Sequence, residues 1–398
     1  MNKPELLAPA GDLERLKIAL IYGADAVYIG GFYSLRANAS NFTKEEIYEA
    51  VNYAHKLKKK VYVTVNIAMH NKELEGILDY LKELEKIGVD AIIISDPGII
   101  KIALENTNLE LHLSTQNSTL NKEALEFWKN EGISRVVLAR ECSKEDIIAM
   151  KEVDDIELEV FIHGAMCASY SVRCVLSNFL TNRDSNRGGC SQICRWDFDL
   201  FDGDVHLKGD KPFTFCTKDL SLMRYIPDLI QMGVNSLKVE GRMRSSYYIA
   251  TIIKIYRKVI DEYMEDPNGY VYNPLYEKIL KRCANRDSVA QFFNGIFDKS
   301  VQYYNGRMET TNQDFLGMVL EYDKNKSLAK IEQRNYFKLG DKVTVFGPDD
   351  EYTFEIIVLY DEEMKPIEVV RHPKQIVYIG VPNVVKKDYM LKKFLTND

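Results

Sequence analysis

The sequence predicts an α/β fold, a (β/α)8 TIM-like barrel with a cysteine-bearing insertion after strand 7, followed by a small C-terminal all-β barrel domain. Two observations lead to the barrel: short apolar, β-branched segments alternate with amphipathic helical segments up to about residue 265, and eight strand segments occur in this region. Such alternation indicates parallel β-α units, and eight of them favour a closed barrel over an open doubly wound sheet, which stays the alternative.

The barrel prediction can be justified strand by strand. The eight predicted strands are 5–11, 25–31, 60–66, 90–96, 109–115, 134–140, 158–164 and 235–241. Helices are expected between them, and two carry clear starts: Thr43 and Glu46 form a capping box, and Ser143 is an N-cap. About 70 residues separate the seventh strand from the eighth, against roughly 25 to 35 elsewhere. An insertion after a strand lies at the C-terminal mouth, where barrel active sites are found.

The pattern changes near residue 312. We expect the barrel over residues 1–312, with the insertion at about 164–222, and a small β-barrel domain over 313–398. Short alternating segments separated by turn dipeptides indicate the second domain. They are FLGMVLEYD, SLAKIEQ, DKVTVFG, TFEIIVLYD and QIVYIGV.

Composition narrows the class of protein. Hydrophobic residues make up 46% and charged residues 28% of 398 residues, which is typical of globular chains. The net charge of -7 argues against the broad basic face of a non-specific nucleic-acid binder, but it allows a local basic site. The N-terminus lacks the pattern of a signal peptide and no long apolar stretch occurs, so we expect a cytoplasmic protein without membrane association.

Four of the seven cysteines lie close together in the long insertion, with the spacing C-x6-C-x15-C-x3-C. Thiolates bind soft metals, so the set is expected to hold an iron-sulfur cluster or a tetrahedral zinc ion. The wide first spacing favours the cluster, because zinc knuckles have two to four intervening residues; zinc and unrelated free thiols stay open. The candidate metal ligands are Cys167, Cys174, Cys190 and Cys194.

Polar residues near the ends of the strands and around the cysteines are the other candidates. His163 and Glu240 are candidate catalytic groups, since proton transfer needs a base. The candidate substrate-binding residues are Arg36, Gln116, Arg140, Arg195 and Arg242. Guanidinium groups bind carboxylates and phosphates with two parallel hydrogen bonds. Each candidate also has a structural interpretation: a hydrogen-bonded histidine, an ion pair at the barrel rim, or a solvated loop.

Several stretches resemble the peptidase U32 family of collagenase-like proteins. They include EVFIHGAMCASYSVRCVLS (159–177), NRGGCSQICRW (186–196), YSLRANASNFT (33–43) and SLKVEGRMRSSYYIATIIKIYR (236–257). One departure is visible: the family signature usually has glycine two residues before its second cysteine, and Val172 stands there. Glycine would ease a tight backbone at this point, so the departure leaves the local loop geometry open.

The resemblance implies more than the spacing does. Members of this family hydroxylate nucleotides of tRNA or ribosomal RNA, or precursors of ubiquinone, and do not use molecular oxygen. It implies a four-iron four-sulfur cluster on the four cysteines, and prephenate as the oxygen source in the RNA-modifying branch. The chain length and the β-rich tail are most similar to the tRNA 5-hydroxyuridine branch. The implied partners are tRNA and a paired family member; the electron donor is not identified.

The sequence therefore predicts an iron-sulfur enzyme that hydroxylates the wobble uridine of tRNA at C5. One alternative is the peptidase of the family name, with Cys167 as nucleophile and His163 as base, although one nucleophile does not explain four cysteines. Another is a non-catalytic RNA-binding protein with structural zinc. A basic stretch of the tail is a candidate RNA contact. It comprises Lys324, Lys326, Lys330, Arg334, Lys338 and Lys342, interleaved with Tyr336 and Phe337.

Overall fold

The structure, a computed structural model, describes residues 2–35, 41–209, 211–284, 286–295, 299–303 and 314–394. Its first part is built on parallel strands that alternate with helices. The strands are β1 (Glu5–Pro9), β2 (Ala26–Gly30), β3 (Lys60–Val65), β4 (Ala91–Ile94), β5 (Glu110–Leu113), β6 (Arg135–Val137), β7 (Glu157–Gly164), β8 (Leu200–Asp202), β9 (Val205–Leu207), β10 (Asp219–Ser221), β11 (Ser236–Val239) and β12 (Ser288–Val289).

Eight of these strands close into a barrel, which confirms the predicted fold class. Strands β1 to β7 pair in sequence order and in parallel, and β11 pairs in parallel with both β7 and β1. Each of the eight predicted strand segments overlaps one barrel strand. The strands are apolar almost throughout because the interior and the surrounding helices bury both faces.

The helices surround the barrel and begin where the sequence signals indicated. They are α1 (Leu13–Ile21), α2 (Lys44–Lys56), α3 (Ile77–Ile87), α4 (Pro97–Asn106), α5 (Lys122–Asn130), α6 (Lys144–Met150), α7 (Leu176–Thr181), α8 (Ile226–Gln231), α9 (Ser246–Glu265) and α10 (Leu275–Cys283). Thr43 and Ser143 cap α2 and α6, and each belongs to a complete capping box. No helix in the described ranges has the length and apolar character needed to cross a bilayer.

The long insertion leaves the barrel at the end of β7. Gly164 has a φ of +116°, and a Cβ atom at this position would lie 2.4 Å from the carbonyl oxygen of Glu240, so only glycine fits. The chain then forms short 3-10 turns, α7 and the separate hairpin β8–β9, and it returns through β10, which pairs antiparallel with β7. The cysteine segment is therefore held at the C-terminal mouth of the barrel.

The tail is an all-β domain, as predicted. Its strands are β13 (Phe315–Asp323), β14 (Leu328–Gln333), β15 (Phe337–Lys338), β16 (Lys342–Phe346), β17 (Glu351–Glu355), β18 (Leu359–Tyr360), β19 (Val369–Val370), β20 (Ile376–Gly380) and β21 (Met390–Lys393). Seven of them form an antiparallel sheet in the order β17-β16-β21-β13-β14-β20-β18, a half-barrel over its own apolar core.

The tail packs against helices α1 and α9. The Tyr22 hydroxyl donates to the carbonyl oxygens of Phe346 and Asp388, at 3.2 and 2.9 Å. The rings of Tyr247 and Phe315 stack with their centres 5.0 Å apart. The two parts of the chain therefore share apolar contacts as well as hydrogen bonds.

Candidate active site at the barrel mouth

A pocket opens at the C-terminal mouth of the barrel, next to the start of the cysteine insertion. It encloses about 570 Å³ of empty space including its open side, a size typical of small-molecule sites. Of the predicted residues, Gln116, Arg140, Glu240 and Arg242 line it. These four come from loops after three different strands, β5, β6 and β11, and the barrel brings them together.

Arg140 carries a buried donor that a ligand in the pocket could satisfy. Its side chain is only 7% accessible, it lies 3.9 Å from Glu240, and its guanidinium stacks 4.1 Å from the ring centre of Phe161. One nitrogen donates to the carbonyl oxygen of Ala165, while the buried Nε–H has no acceptor among the described residues. An unsatisfied buried donor on a cation is costly, so the site favours an anionic ligand.

Glu240 belongs to a chain of polar contacts that runs from the pocket into the barrel interior. The Tyr28 hydroxyl donates to Glu240, 3.1 Å away, and the Lys238 ammonium lies 4.6 Å from the ring centre of Tyr28. Lys238 also lines the pocket floor and is bonded to the buried Glu159. Glu240 is therefore held by Tyr28 and lies near one pocket cation, Arg140, while Lys238 lines the same pocket.

Arg242 closes the pocket from the side of β2. Its guanidinium donates to Ser34 Oγ at 2.7 Å and to Asn41 Oδ1 at 2.9 Å. A Cβ atom at Gly30 would lie 1.9 Å from a terminal nitrogen of Arg242, so only glycine leaves room for the guanidinium group. The loop that Arg242 binds also contains Arg36, which lies outside the described residues.

His163 is placed away from the pocket. A β-bulge in the pairing of β7 with β11 lies between Phe161 and His163, so His163 does not point into the barrel with Glu159 and Phe161. Its Nδ1 lies 3.2 Å from the Tyr256 hydroxyl on α9, and its ring packs against Tyr248 and Tyr256. Burial lowers the pKa of His163 to about 3, so this imidazole is neutral.

The four predicted metal ligands lie in the insertion above the pocket. All seven cysteines are described and none forms a disulfide. Burial, followed by the negative charge of the Cys167 thiolate, raises the pKa of Cys194 to about 11, and the Cys190 thiolate contributes as well. Ser185 and Asn186 donate to the Cys174 carbonyl at 2.6 and 2.9 Å, which holds Cys174 beside the segment that leads to Cys190.

The four cysteines fit a four-iron cluster better than a site for a single metal ion. Among the described residues, no three His, Cys, Asp or Glu side chains are grouped to share a single metal ion. The thiolate ligands of a four-iron cluster bind four different irons, so they lie farther apart than the ligands of one ion. Four cysteines in one insertion, none of them in a disulfide and with Cys194 electrostatically coupled to Cys167 and Cys190, fit such a cluster.

Arg195 lies with the cysteines and does not line the pocket. It donates to Gln192 Oε1 at 2.7 Å, and its half-buried guanidinium has a pKa lowered first by burial and then by Arg286. Asp219 binds Arg286 at 2.7 Å and Arg244 at 3.3 Å. The positive charge around the cysteine segment would offset the negative charge of four thiolates.

Sequence reasoning missed Lys238 and Tyr28 at the pocket. The signal was present: in NSLKVEG, residues 236, 238 and 240 share one face of a strand, so Lys238 points to the same side as Glu240. A lysine within an apolar strand also needs a buried partner. Tyr28 carried no comparable signal, because an aromatic residue in a strand is ordinary.

Two family profiles together match most of the chain. The profile of "Peptidase family U32" matches residues 11–302, and that of "Peptidase family U32 C-terminal domain" matches residues 311–392. The C-terminal domain of a U32 peptidase from Geobacillus thermoleovorans, a solved structure, is 36% identical over 20% of this chain and 100% of its own, with a TM-score of 0.20.

Two relatives are similar over nearly the whole chain. The tRNA hydroxylation protein P1 of Bacillus subtilis is 50% identical, covering 98% of this chain and 95% of its own. The tRNA hydroxylation protein P of Escherichia coli is 32% identical, covering 98% and 96%. Both the profiles and the full-length identity lead to one conclusion: the chain belongs to peptidase family U32.

Proposed function

We propose that this protein hydroxylates a nucleotide of tRNA. The observation that carries the proposal is the 50% identity with a tRNA hydroxylation protein over 98% of the chain, a span that includes both domains. A pocket lined by buried cations, next to an insertion with four cysteines that form no disulfide, is the second support. Residues at the C-terminal mouth of a barrel are the usual place for its chemistry.

The more specific proposal is oxygen-independent hydroxylation at C5 of the wobble uridine, with prephenate as the oxygen source. Prephenate carries two carboxylates, and the pocket offers three cations, Arg140, Lys238 and Arg242, against one carboxylate, Glu240. The unsatisfied Nε–H of Arg140 is a donor in position for such a ligand. Gln116 adds a polar side chain to the same wall.

Glu240 is the proposed base. It is held by Tyr28 and lies near Arg140, and it opens on the pocket, so it can take a proton from a substrate atom placed there. The narrow mouth of the barrel would limit water around this carboxylate. His163 is neutral and packed against tyrosines, which supports a positioning role beneath the insertion and leaves the proton transfer to Glu240.

A four-iron four-sulfur cluster is the proposed cofactor, held by Cys167, Cys174, Cys190 and Cys194. When bound, such a cluster supplies one-electron transfer. Arg195 and the neighbouring arginines would lower the energy of its negative charge. The Ala165 carbonyl accepts from Arg140 and Val172 lines the pocket, so the segment that carries Cys167 and Cys174 also shapes the site.

Deletion of the gene tests the proposed function directly. Nucleoside mass spectrometry of tRNA should show loss of 5-hydroxyuridine derivatives, and a plasmid copy should restore them. The test must be repeated in a strain that lacks any second hydroxylation pathway. Unchanged derivatives in that background would overturn the proposal. A loss of hydroxylated ribosomal RNA instead would move the proposal to another RNA.

Metal analysis tests the cofactor separately. Protein purified without oxygen should be brown and contain about four irons and four sulfides per chain. Colourless protein with one zinc per chain would contradict the cluster while leaving the question of RNA open.

A peptidase function has weaker support. An uncharacterized protease of Methanocaldococcus jannaschii is 34% identical, covering 94% of this chain. A cysteine nucleophile needs a histidine base, however. Among the described residues, His163 is hydrogen-bonded to the Tyr256 hydroxyl, which does not support its pairing with Cys167.

A further inference from the structure

We infer that RNA docks on the outer surface of the cysteine insertion, on a patch made of Tyr170, Arg173, Phe179 and Arg183, named here the insertion face. The inference rests on the proposed function, from which it takes RNA as the substrate. In this inference, the insertion face holds the nucleotides on either side of the base that reacts.

Exposed aromatic rings are the first observation. Phe179 on α7 is 81% accessible and Tyr170 is 53% accessible, although burial of such side chains is normally favourable. Single-stranded nucleotides are bound by stacking their bases on aromatic rings. Two such rings on one short insertion give a surface of this kind.

Unpaired positive charge is the second observation. Arg173 and Arg183 are exposed, and their guanidinium groups have no ion pair or hydrogen bond with the residues that the structure describes. Arg187 differs, since it is paired with Glu73. The whole chain carries a net charge of -7, so two exposed arginines, one three residues after Tyr170 and the other four residues after Phe179, are a local exception. They fit phosphate groups on either side of stacked bases.

The insertion face is fixed to the barrel rim. Ser171 donates to Glu141 through its backbone N–H at 2.7 Å and its hydroxyl at 2.5 Å, which holds the turn that carries Tyr170. Helix α7 is bound to the segment of the later cysteines, since Thr181 and Ser191 share a hydrogen bond of 3.0 Å. A surface held in this way is ordered before a ligand arrives, so less conformational entropy is lost on binding.

The insertion face also continues into the pocket. Val172, which lies between Tyr170 and Arg173 in the sequence, lines the pocket wall. A base that enters the pocket would therefore leave its neighbouring nucleotides within reach of Tyr170 and Arg173. A stacked base taken out of its strand in this way is the usual arrangement for chemistry on a nucleobase.

Two other surfaces fit RNA less well. The hairpin β8–β9 exposes apolar residues, but it is flanked by acidic residues that repel phosphate. They are Asp197, Asp199, Asp202 and Asp204. In the tail, Phe337 is fully buried and Arg334 is paired with Glu332, so part of the predicted basic stretch is already engaged.

Binding of a tRNA transcript with an unmodified wobble uridine tests the inference, with full-length, iron-loaded protein. Replacing both Arg173 and Arg183 by Ala should raise the Kd about 10-fold or more, and it should reduce the slope of log K against log salt by about 1.4, the value for two phosphate contacts on a single strand. Replacing Tyr170 and Phe179 by Ala should also raise the Kd about 10-fold, with the slope unchanged.

Matched controls separate the possible results. Lys324→Ala with Lys326→Ala removes two charges from the tail and should leave the Kd within about 2-fold. Arg173→Lys with Arg183→Lys should keep most of the binding, which would not be so if the insertion had unfolded. The visible absorbance of the cluster should be the same in all variants.

Either of two binding results would overturn the inference, and so would one result of complementation. In the first, both insertion variants bind the transcript like the tail control. In the second, they bind RNA normally but lose a protein partner in a pull-down, which would make the face a protein interface. If the wild-type gene restores hydroxylation and the insertion variants restore it equally, only the docking inference fails. If the wild-type protein does not bind the transcript and its gene does not restore hydroxylation, the proposed function itself fails.

Discussion

Lys238 donates a 2.6 Å hydrogen bond to Glu159 in the barrel interior, and both side chains are almost inaccessible to water. Arg135 lies 3.3 Å from the same carboxylate. Burial alone would raise the pKa of Glu159, but Lys238 and Arg135 lower it to about 2, so the carboxylate is ionised at neutral pH. An ionic cluster therefore supports the pocket floor from below.

Lys238→Met should lower the free energy of unfolding by about 3 kcal/mol, because Glu159 would lose one of its two buried cationic partners. Denaturation in urea measures the change. Combining it with Glu159→Gln should recover part of the loss, since the uncompensated carboxylate is then removed. If Lys238→Met alone were as stable as the wild type, the pairing of Lys238 with Glu159 would be contradicted.

The barrel was predictable from sequence because parallel strands with alternating helices leave a strong pattern, and all eight strands and both tested helix caps follow it. The pocket was partly predictable, since Arg140, Glu240 and Arg242 follow strand ends. The orientation of His163 was not: strand alternation places it inside with Glu159 and Phe161, but a single-residue bulge turns it to α9. A bulge depends on the pairing of two distant strands, and no local pattern marks it.

His163→Gln should reduce the sensitivity of the fold to acid. The pKa of His163 is about 3 when folded, against 6.5 for an ordinary histidine, so below pH 6.5 the unfolded chain binds a proton that the folded chain does not. Stability is therefore lost as pH falls from 6.5 towards 3, by about 2 kcal/mol at pH 5 from this group.

The measurement compares wild type and His163→Gln by thermal melting at pH 7.5 and pH 5. The variant is expected to be less stable at pH 7.5, because it loses the Tyr256 contact, and the difference should shrink at pH 5. The exposed His372→Gln serves as control and should melt in parallel with the wild type. A constant difference between wild type and His163→Gln at both pH values would contradict the buried neutral imidazole.

Val172→Gly should stabilise the insertion. Val172 has a φ of +74°, a conformation that is costly for a β-branched residue and free for glycine, as the departure from the family signature suggested. Relief of roughly 1–3 kcal/mol of strain exceeds the roughly 0.5–1 kcal/mol entropic penalty of glycine. Val175, at φ -109° in the same segment, is the matched control.

Hydrogen exchange of the insertion distinguishes the two glycine variants. Protection should increase in Val172→Gly and decrease in Val175→Gly, since only the first relieves strain. Equal decreases would mean that Val172 is not strained.

Glu240→Gln should abolish hydroxylation of tRNA and leave the fold intact. The amide oxygen can still accept from Tyr28, so packing is kept, but the side chain can no longer take a proton. Complementation of the deletion strain, read by nucleoside mass spectrometry, measures activity. Thr344→Val in the tail, far from the pocket, should restore hydroxylation fully. Normal hydroxylation by Glu240→Gln would remove it from the role of base.

Cys190→Ser should remove both the brown colour and the hydroxylation of tRNA. Serine oxygen is a harder donor than thiolate and binds iron of a cluster poorly, so the site would lose one of its four ligands. Cys283→Ala is the matched control, because Cys283 is also a free cysteine but is the buried last residue of α10, outside the insertion. That variant should keep about four irons per chain and normal modification. If Cys190→Ser retained its iron and its activity while Cys283→Ala lost them, the cluster would have to be assigned to a different set of thiols. Equal retention in both variants would exclude Cys190 from the ligands while leaving the other three cysteines to be replaced in turn.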